Sequence, residues 1–543
     1  MRDGNTAHLF TWQPGQASFM RLTDSPSDEI DPAISPDGKT VALTSRSNGY
    51  WDLYLLDLTT GARRRLTDSL EYDGSPAWSP DGQWLAYESY QEDNLEILIR
   101  PVASEPGETH DLISLTDDPA IDHSPAWSPD GRSLAFVSTR AGSADIWLAS
   151  LDGTGSQFEN ISRTVDSSEN DPKWSPDGRY LAWTAHKEGV SSVWVWDSQQ
   201  PDLFPYQAGS GQNPVWSPDG ASILVELERP NSASLIVYML TGENGHSAPI
   251  NLPGALYGLD WSSGAQPDLL AGFPKPAGAE LPADLLWQAL LTTESSLPGG
   301  RAALVPVADI TAPYTYLHDA VDESFIALRR QTGLETGWDL LSGLENAYLP
   351  LTEPLLPGES HNWLQTGRAF AVNPLPLNAG WIAVVREEFE GQVYWRVYLK
   401  ARYQDGSQGR PLEHIPWDMT SRYEGDPEAY DKGGRLADPL AGYWIDFTEL
   451  AARYGWERLP AQSNWRTFFP AARFNQFVLT GGLDWARAMA EIYPPEAMVT
   501  ATSAPTRTTG PSPVETEVGT FTPSPSPLPS LTPTFRPTWT PAP

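Results

Sequence analysis

Four carboxylates recur at one place in a repeating unit: Glu29, Asp73, Asp122 and Glu169, with Gly211 at the fifth copy. Each stands two residues ahead of a step that begins with Asp31, Ser75, Ser124, Asp171 or Asn213 and continues with Pro. Carboxylates at equivalent positions of a closed ring would focus negative potential at a concave opening and attract a cation, or a basic or N-terminal peptide segment. The same residue types ahead of a strand also cap turns through side-chain to backbone bonds. Both readings stay open from the sequence, and Glu29, Asp73, Asp122 and Glu169 are the candidate binding residues.

Other chemistry finds little support in the residue strings. A serine nucleophile at a strand-to-helix elbow needs Gly-x-Ser-x-Gly, which is absent. Ser407, in Gly406-Ser407-Gln408-Gly409 after Asp405, reads as a turn. There is neither a Gly-x-x-x-x-Gly-Lys-Ser/Thr loop for phosphate nor a dinucleotide glycine fingerprint after a strand. Glu387 and Glu388 read as a solvated pair in a hairpin loop. His318, His361 and His414 lack a zinc-binding spacing, and with no cysteine in the chain, thiol catalysis and cysteine metal sites are excluded. No catalytic residue, metal or cofactor is therefore assigned.

The elements that would position the carboxylates come from a repeat. Ser-Pro-Asp-Gly occurs at 35–38, 79–82, 128–131, 175–178 and 217–220, a period in the 40s that signals propeller blades. Proline presets φ, aspartate accepts backbone N–H bonds and glycine supplies positive φ, so each copy is a hairpin tip. An apolar strand end precedes it (Ile34, Trp78, Trp127, Trp174, Trp216), and an apolar pair follows, from Val41-Ala42 to Ile223-Leu224. Third strands are expected at 52–56, 95–99, 145–148, 192–196 and 234–238, and fourth strands ending in Leu66-Thr67-Asp68 or Leu115-Thr116-Asp117. Trp261-Ser262-Ser263-Gly264 reads as a worn sixth copy. His8 followed by Leu22-Thr23-Asp24 matches Asp52 followed by Leu66-Thr67-Asp68, so strands from both ends are expected to share one blade and close a six-bladed ring. The rival has 284–291 and 301–307 finishing that blade.

The Asp/Ser-Pro-x-Trp-Ser-Pro-Asp-Gly pattern resembles the WD-like propeller repeat of the TolB family, the periplasmic component of the Tol-Pal envelope system, over about half the chain. That resemblance implies a propeller that binds protein partners at its channel mouth. The family's usual N-terminal domain is absent here, and the extra region is C-terminal. Within that region Ser360-His361-Asn362-Trp363-Leu364-Gln365-Thr366-Gly367-Arg368-Ala369-Phe370 faintly resembles the Ser-x-His-x-x-Gly-x-Ala-x-Asp motif of zinc D-alanyl-D-alanine peptidases. Aligned on Gly367 and Ala369, the zinc-ligand positions fall on Leu364 and Ala371, neither of which can hold zinc.

Composition narrows the partners. The formal charge is -35, which opposes phosphate backbones and anionic lipid, so no nucleic acid is expected. No run of 18 apolar residues is present to span a bilayer. The region after the repeats is expected to be α+β: helical spacing at 321–330, a hairpin from 381–385 and 393–399, a capping-box start at Asp446, and helical or near-helical segments at 474–479 and 485–492. From 500 the chain is rich in Thr, Ser and Pro, with 11 prolines between Pro505 and Pro543, a composition of extended extracellular spacers. Met1-Arg2-Asp3-Gly4 leads straight into a strand with no signal-peptide pattern. The expectation is thus a truncated start and a longer exported chain, periplasmic, cell-surface or extracellular. The domains expected are 1–278, a TolB-like all-β six-bladed β-propeller; 279–497, a smaller α+β domain; and 498–543, a disordered Pro/Thr/Ser-rich tail. The function expected is non-catalytic binding of a protein or peptide partner, basic in character. The alternatives are a cell-wall or peptide hydrolase with an unrecognised site in the C-terminal region, and a carbohydrate-binding surface protein.

Overall fold

The computed structural model describes residues 1–499 apart from 15, 17–18, 154–156, 165, 241–244, 264–285 and 292–303. Its contacts divide the chain into two units, Met1–Pro494 and Pro495–Pro543. Within the second only Pro495–Val499 is described, as a helix. The expected tail from 500, and the expected boundary at 278/279, lie outside the described residues.

Each repeat forms a four-stranded antiparallel sheet. The five are Glu29–Ile34, Thr40–Ser45, Asp52–Asp57 and Arg63–Arg65; Asp73–Trp78, Trp84–Gln91, Asn94–Pro101 and Ile113–Ser114; Asp122–Trp127, Ser133–Ser138, Asp145–Ser150 and Phe158–Asn160; Ser168–Trp174, Tyr180–Lys187, Val190–Asp197 and Tyr206–Ser210; and Gln212–Trp216, Ser222–Arg229, Ser232–Met239 and Ile250–Asn251. First strands of successive sheets pack on one another, so they form the inner wall of a β-propeller-like, strand-rich region. The fourth strands of the first two sheets end just before the Leu-Thr-Asp triplets rather than within them.

The hairpin tips show why the repeat is written as it is. In the first, Ser35 Oγ donates to Asp37 Oδ1 at 2.7 Å, that oxygen accepts the Lys39 N–H, and Gly38 sits at φ 71°. Ser79–Asp81, Ser128–Asp130, Ser175–Asp177 and Ser217–Asp219 repeat the bond at 2.6 Å. The carboxylates of these tips are held below the usual range, first by the serine hydroxyl.

The N-terminal strands engage the other end of the strand-rich region. Arg2–Asp3 pairs with Thr6–Ala7, and Phe10–Thr11 with Met20–Arg21. The Arg2 N–H donates to Ala255 O at 2.8 Å, and the Asp31 N–H to Tyr257 O at 3.0 Å. Leu9 and Leu22 pack on Val41, Leu43, Leu56 and Leu58 of the first sheet. The Leu9 N–H meets Thr23 Oγ1 at 3.0 Å, the contact that Leu53 makes with Thr67 at 2.9 Å. Of the rival closing strands, 284–285 and 301–303 lie outside the described residues. Leu304–Pro306 pairs instead with Tyr316–His318.

After the repeats the chain is mixed α and β. Helix Asp322–Thr336 buries Phe325 and Leu328. One sheet holds Leu344–Asn346, Ala369–Val372, Gln476–Val478 and Glu457–Arg458; another holds Ile382–Phe389, Gln392–Lys400, Tyr443–Asp446 and Arg410–Pro411. Val393, Trp395, Val397 and Leu399 are buried on one face of their strand, as alternation predicts. Asp446 caps helix Phe447–Arg453 through the Glu449 N–H at 2.9 Å. Two expectations are corrected. The segment around 474–479 is a strand, because Gln476–Val478 bonds to sheet neighbours on both sides. The 382–400 hairpin turns over Glu390-Gly391 alone, both at positive φ, so Glu387 and Glu388 belong to a strand.

Candidate functional site

A backbone device in each first strand sets the site. Pairing with the second strand slips by one residue at Asp31, Ser75, Ser124, Asp171 and Asn213. These five residues have φ between 48° and 54°. Asp and Asn tolerate this left-handed region best among residues with a Cβ, and the bulge re-aims the side chain. The freed N–H groups are taken up by the preceding sheet: Ser75 by Thr44 Oγ1 at 3.2 Å, Ser124 by Glu88 Oε2 at 2.9 Å, and Asn213 by Thr184 Oγ1 at 3.0 Å.

All five bulge residues line one cavity of about 1900 Å³, between the inner wall and residues from 385–458. Glu226 and Asp171 face it from the fifth and fourth sheets, and Arg396, Tyr398, Arg410, Glu413 and His414 from the other side. Arg410 lies over the rings of Trp51 and Tyr257, 5.9 and 5.5 Å from their centroids. The Trp51 indole N–H donates to Gly409 O at 2.9 Å. Arg396 pairs with Asp446 and Glu387, each at 2.7 Å, and with Glu228. His414 stacks on Tyr398 and lies 5.8 Å from the His186 ring.

Enclosure governs the charges. Burial pushes Asp171 up to about 6 and raises Asp31, Glu226 and Glu413, with Arg410 opposing the rise at Asp31 and Glu413. Burial also pushes His186 down to about 4 and His414 to about 3, so both rings are neutral at pH 7. A cation placed among these carboxylates would oppose the rise and favour their charged forms.

The four carboxylates singled out by spacing stand apart from this cavity. Glu29 is ion-paired to Arg63. Asp73 accepts from Ser89 Oγ at 2.6 Å, Asp122 pairs with Arg140 at 2.8 Å, and Glu169 accepts from Ser167 Oγ at 2.6 Å and Thr164 Oγ1 at 2.7 Å. All four are buried, and none lines the cavity. Burial raises each, to about 7 for Asp73, Asp122 and Glu169. Sequence reasoning missed Glu88 and Glu226, which occupy the second-strand position held elsewhere by Thr44, Val137 and Thr184. A carboxylate three residues past the start of the apolar pair, inside an apolar strand, was the available signal. Arg410 and Glu413 carried none, since their region does not repeat, and His414 stood out only as a candidate zinc ligand.

The remaining suspects are dispersed. His414 is in the cavity, His318 is buried 3.1 Å from Glu491, and His361 packs on Trp485. Leu364 and Ala371 fill an apolar cluster with Ala369 and Val478. Among the described residues no group of three or more His, Asp or Glu could hold a metal ion. Ser407 Oγ donates to Asp405 Oδ1 at 2.5 Å, a turn bond. Glu387 pairs with Arg396 and Arg458, so it is not the solvated loop carboxylate expected.

Residues 14–246 match the family model of the TolB beta propeller domain. Among solved structures, TolB from Acinetobacter baumannii is 22% identical over 44% of this chain and 58% of its own, with a TM-score of 0.39. A putative TolB from Agrobacterium tumefaciens is 19% identical over 46% and 91%, with a TM-score of 0.37. A puromycin-hydrolysing peptidase of Mycobacterium tuberculosis is 18% identical over 45% and 42%, with a TM-score of 0.35. No curated protein matches the chain.

Proposed function

We propose that this chain is a non-catalytic binding protein of the cell envelope or exterior, whose propeller captures a basic protein or peptide segment in the acidic cavity. The observation that carries the reading is the convergence on one enclosed space of Asp31 and Asp171, aimed by a bulge repeated in each of the five repeat sheets, and of Glu226 from the second strand of the fifth. The TolB-type domain and the Thr/Pro-rich composition beyond residue 500 support an exported setting. The same reading has six blades: residues 254–260, though not paired as a strand, take the place of the sixth blade's inner strand, and the N-terminal strands complete that blade, since Arg2 and Asp31 bond to Ala255 and Tyr257. Glu29, Asp73, Asp122 and Glu169 enter as anchors of the inner strands.

Two variant sets separate binding from anchoring. Asn already occupies the bulge at 213, so Asp31→Asn, Asp171→Asn and Glu226→Gln keep the backbone while removing charge. The triple variant is expected to melt near the wild type, yet bind a Lys/Arg-rich peptide more weakly and with a shallower salt dependence in calorimetric titration. Amides at Glu29, Asp73, Asp122 and Glu169 should change melting and leave affinity alone. Unchanged affinity in the first set, or loss of affinity confined to the second, refutes the proposal.

A further inference from the structure

One stretch of the cavity wall is short of hydrogen-bond donors. Strand Ser168–Trp174 presents Ser168, Asn170 and Asp171 to the space, with Glu226 on the neighbouring sheet. Ser168 and Asn170 are 6% and 5% exposed, and Ser168 Oγ and Asn170 Oδ1 have no hydrogen-bond partner among the described residues. A buried polar atom left unpaired costs about 1–3 kcal/mol. Two of them on one strand, facing a cavity, mark a place where something else completes the bonding.

The groups present choose the chemistry. Asn170 Oδ1 and the two carboxylates only accept, and the Ser168 hydroxyl can also accept, so the complement must donate; the Lys173 ammonium acts on Asp171 and the Arg396 guanidinium on Glu226 through space rather than by an ion pair, which leaves both carboxylates free to accept from a cation. A metal ion fits poorly, because no three His, Asp or Glu side chains converge among the described residues. A guanidinium is matched by two free oxygens of one carboxylate. Here Thr184 bonds to the Asp171 carboxylate, and Glu226 Oε2 accepts from Asn213 at 2.7 Å and Gln212 at 3.4 Å. What remains is a set of single acceptors from different side chains. That set suits the three divergent donors of an ammonium group.

We infer that Ser168, Asn170, Asp171 and Glu226 form a subsite for a primary ammonium group on an alkyl chain, either a lysine side chain or a free alkylamine. The inference rests on the cavity's being a binding site and adds the identity of the group bound. Asp31, by contrast, already has a guanidinium acting on it, that of Arg410.

Calorimetric titration of the full chain tests it with three probes: an end-blocked pentapeptide Gly-Gly-Lys-Gly-Gly, its arginine counterpart, and n-butylamine. The lysine peptide should bind at least about fivefold more tightly than the arginine peptide, the worth of one hydrogen bond. n-Butylamine should compete with it. Ser168→Ala and Asn170→Ala, each removing one unpaired acceptor, should reduce that preference; Ser168→Ala barely changes the local volume and guards against a folding defect. Equal affinity for both peptides, or a preference unaltered in both variants, overturns the ammonium subsite while peptide capture stands. If neither peptide binds but n-butylamine does, and the variants weaken it, peptide capture falls and the subsite stands as an amine site. If no probe binds, both fall.

Discussion

At the scale of single residues, burial rather than position in a motif decides what a carboxylate does. Glu169 is fully buried, and its folded value of about 7 stands above an ordinary 4.5, raised chiefly by burial and restrained by the Ser167 and Thr164 hydroxyls. Between those values the folded chain holds a proton that the unfolded chain has released. Its contribution to stability is therefore full below about 4.5 and is lost as the pH rises through 7. By linkage the swing is on the order of 3 kcal/mol. Glu169→Gln removes it. The melting temperature of the wild type relative to that variant should be highest near pH 5 and fall toward pH 8.5. A difference that stays flat over this range would mean the side chain is ionised throughout. The repeat made Glu169 visible in the sequence, but whether it faced the channel or its own sheet stack was not legible. That depends on the bulge two residues later, which spacing alone does not reveal.

At the scale of elements, the hairpin tips and second strands were legible because each is fixed locally, by Ser-Pro-Asp-Gly and by apolar runs. The register slip was not. It appears only as Asp, Ser or Asn followed by Pro, a pair equally at home in an ordinary turn. Misreading 474–479 as helical has a similar cause: Phe474, Phe477 and Val478 fit helical spacing, yet tertiary pairing with Ala369–Val372 overrides it. The N-terminal strands illustrate the opposite case, where a match of His8 and Thr23 to Asp52 and Thr67 coincides with one shared bond, a leucine N–H donating to a threonine hydroxyl in each. Their weight can be measured. Leu9 is buried against Val41, Leu43 and Leu56, so Leu9→Ala should cost about 2–4 kcal/mol. Removing residues 1–24 should uncover that apolar face and produce aggregation in sedimentation velocity. A truncated chain that stays monomeric and melts as the full chain does would show that these strands are dispensable.

At the scale of the whole molecule, one buried cluster joins the strand-rich region to the α/β region between 304 and 494, beside the separate clusters of the repeat sheets. Ile30, Trp51, Tyr72 and Tyr90 belong to the same buried cluster as Trp395, Phe447 and Trp456. Polar ties reinforce it. Tyr443 Oη donates to Glu71 Oε2 at 2.6 Å, the Gly442 N–H to Tyr90 Oη at 2.6 Å, and Arg458 reaches Pro230 O at 2.7 Å. Arg2 is the knot: it pairs with Asp28 at 3.0 Å and Glu449 at 3.1 Å and bonds to Tyr257 Oη, joining the N-terminus, residue 257 and helix Phe447–Arg453. Glu449 is held at about 2 because Arg453 and Arg2 together outweigh the cost of burying it. Arg453 still pairs with Glu449 when Arg2 is removed, so the cost is that of the bonds Arg2 itself makes to charged groups, about 1.5–3 kcal/mol each. Arg2→Ala should therefore lower the melting of the whole Met1–Pro494 unit in a single calorimetric transition, with the calorimetric and van't Hoff enthalpies in agreement. Two separate transitions, with only one displaced by the substitution, would mean that the regions fold independently and that the cavity between them can open without unfolding either.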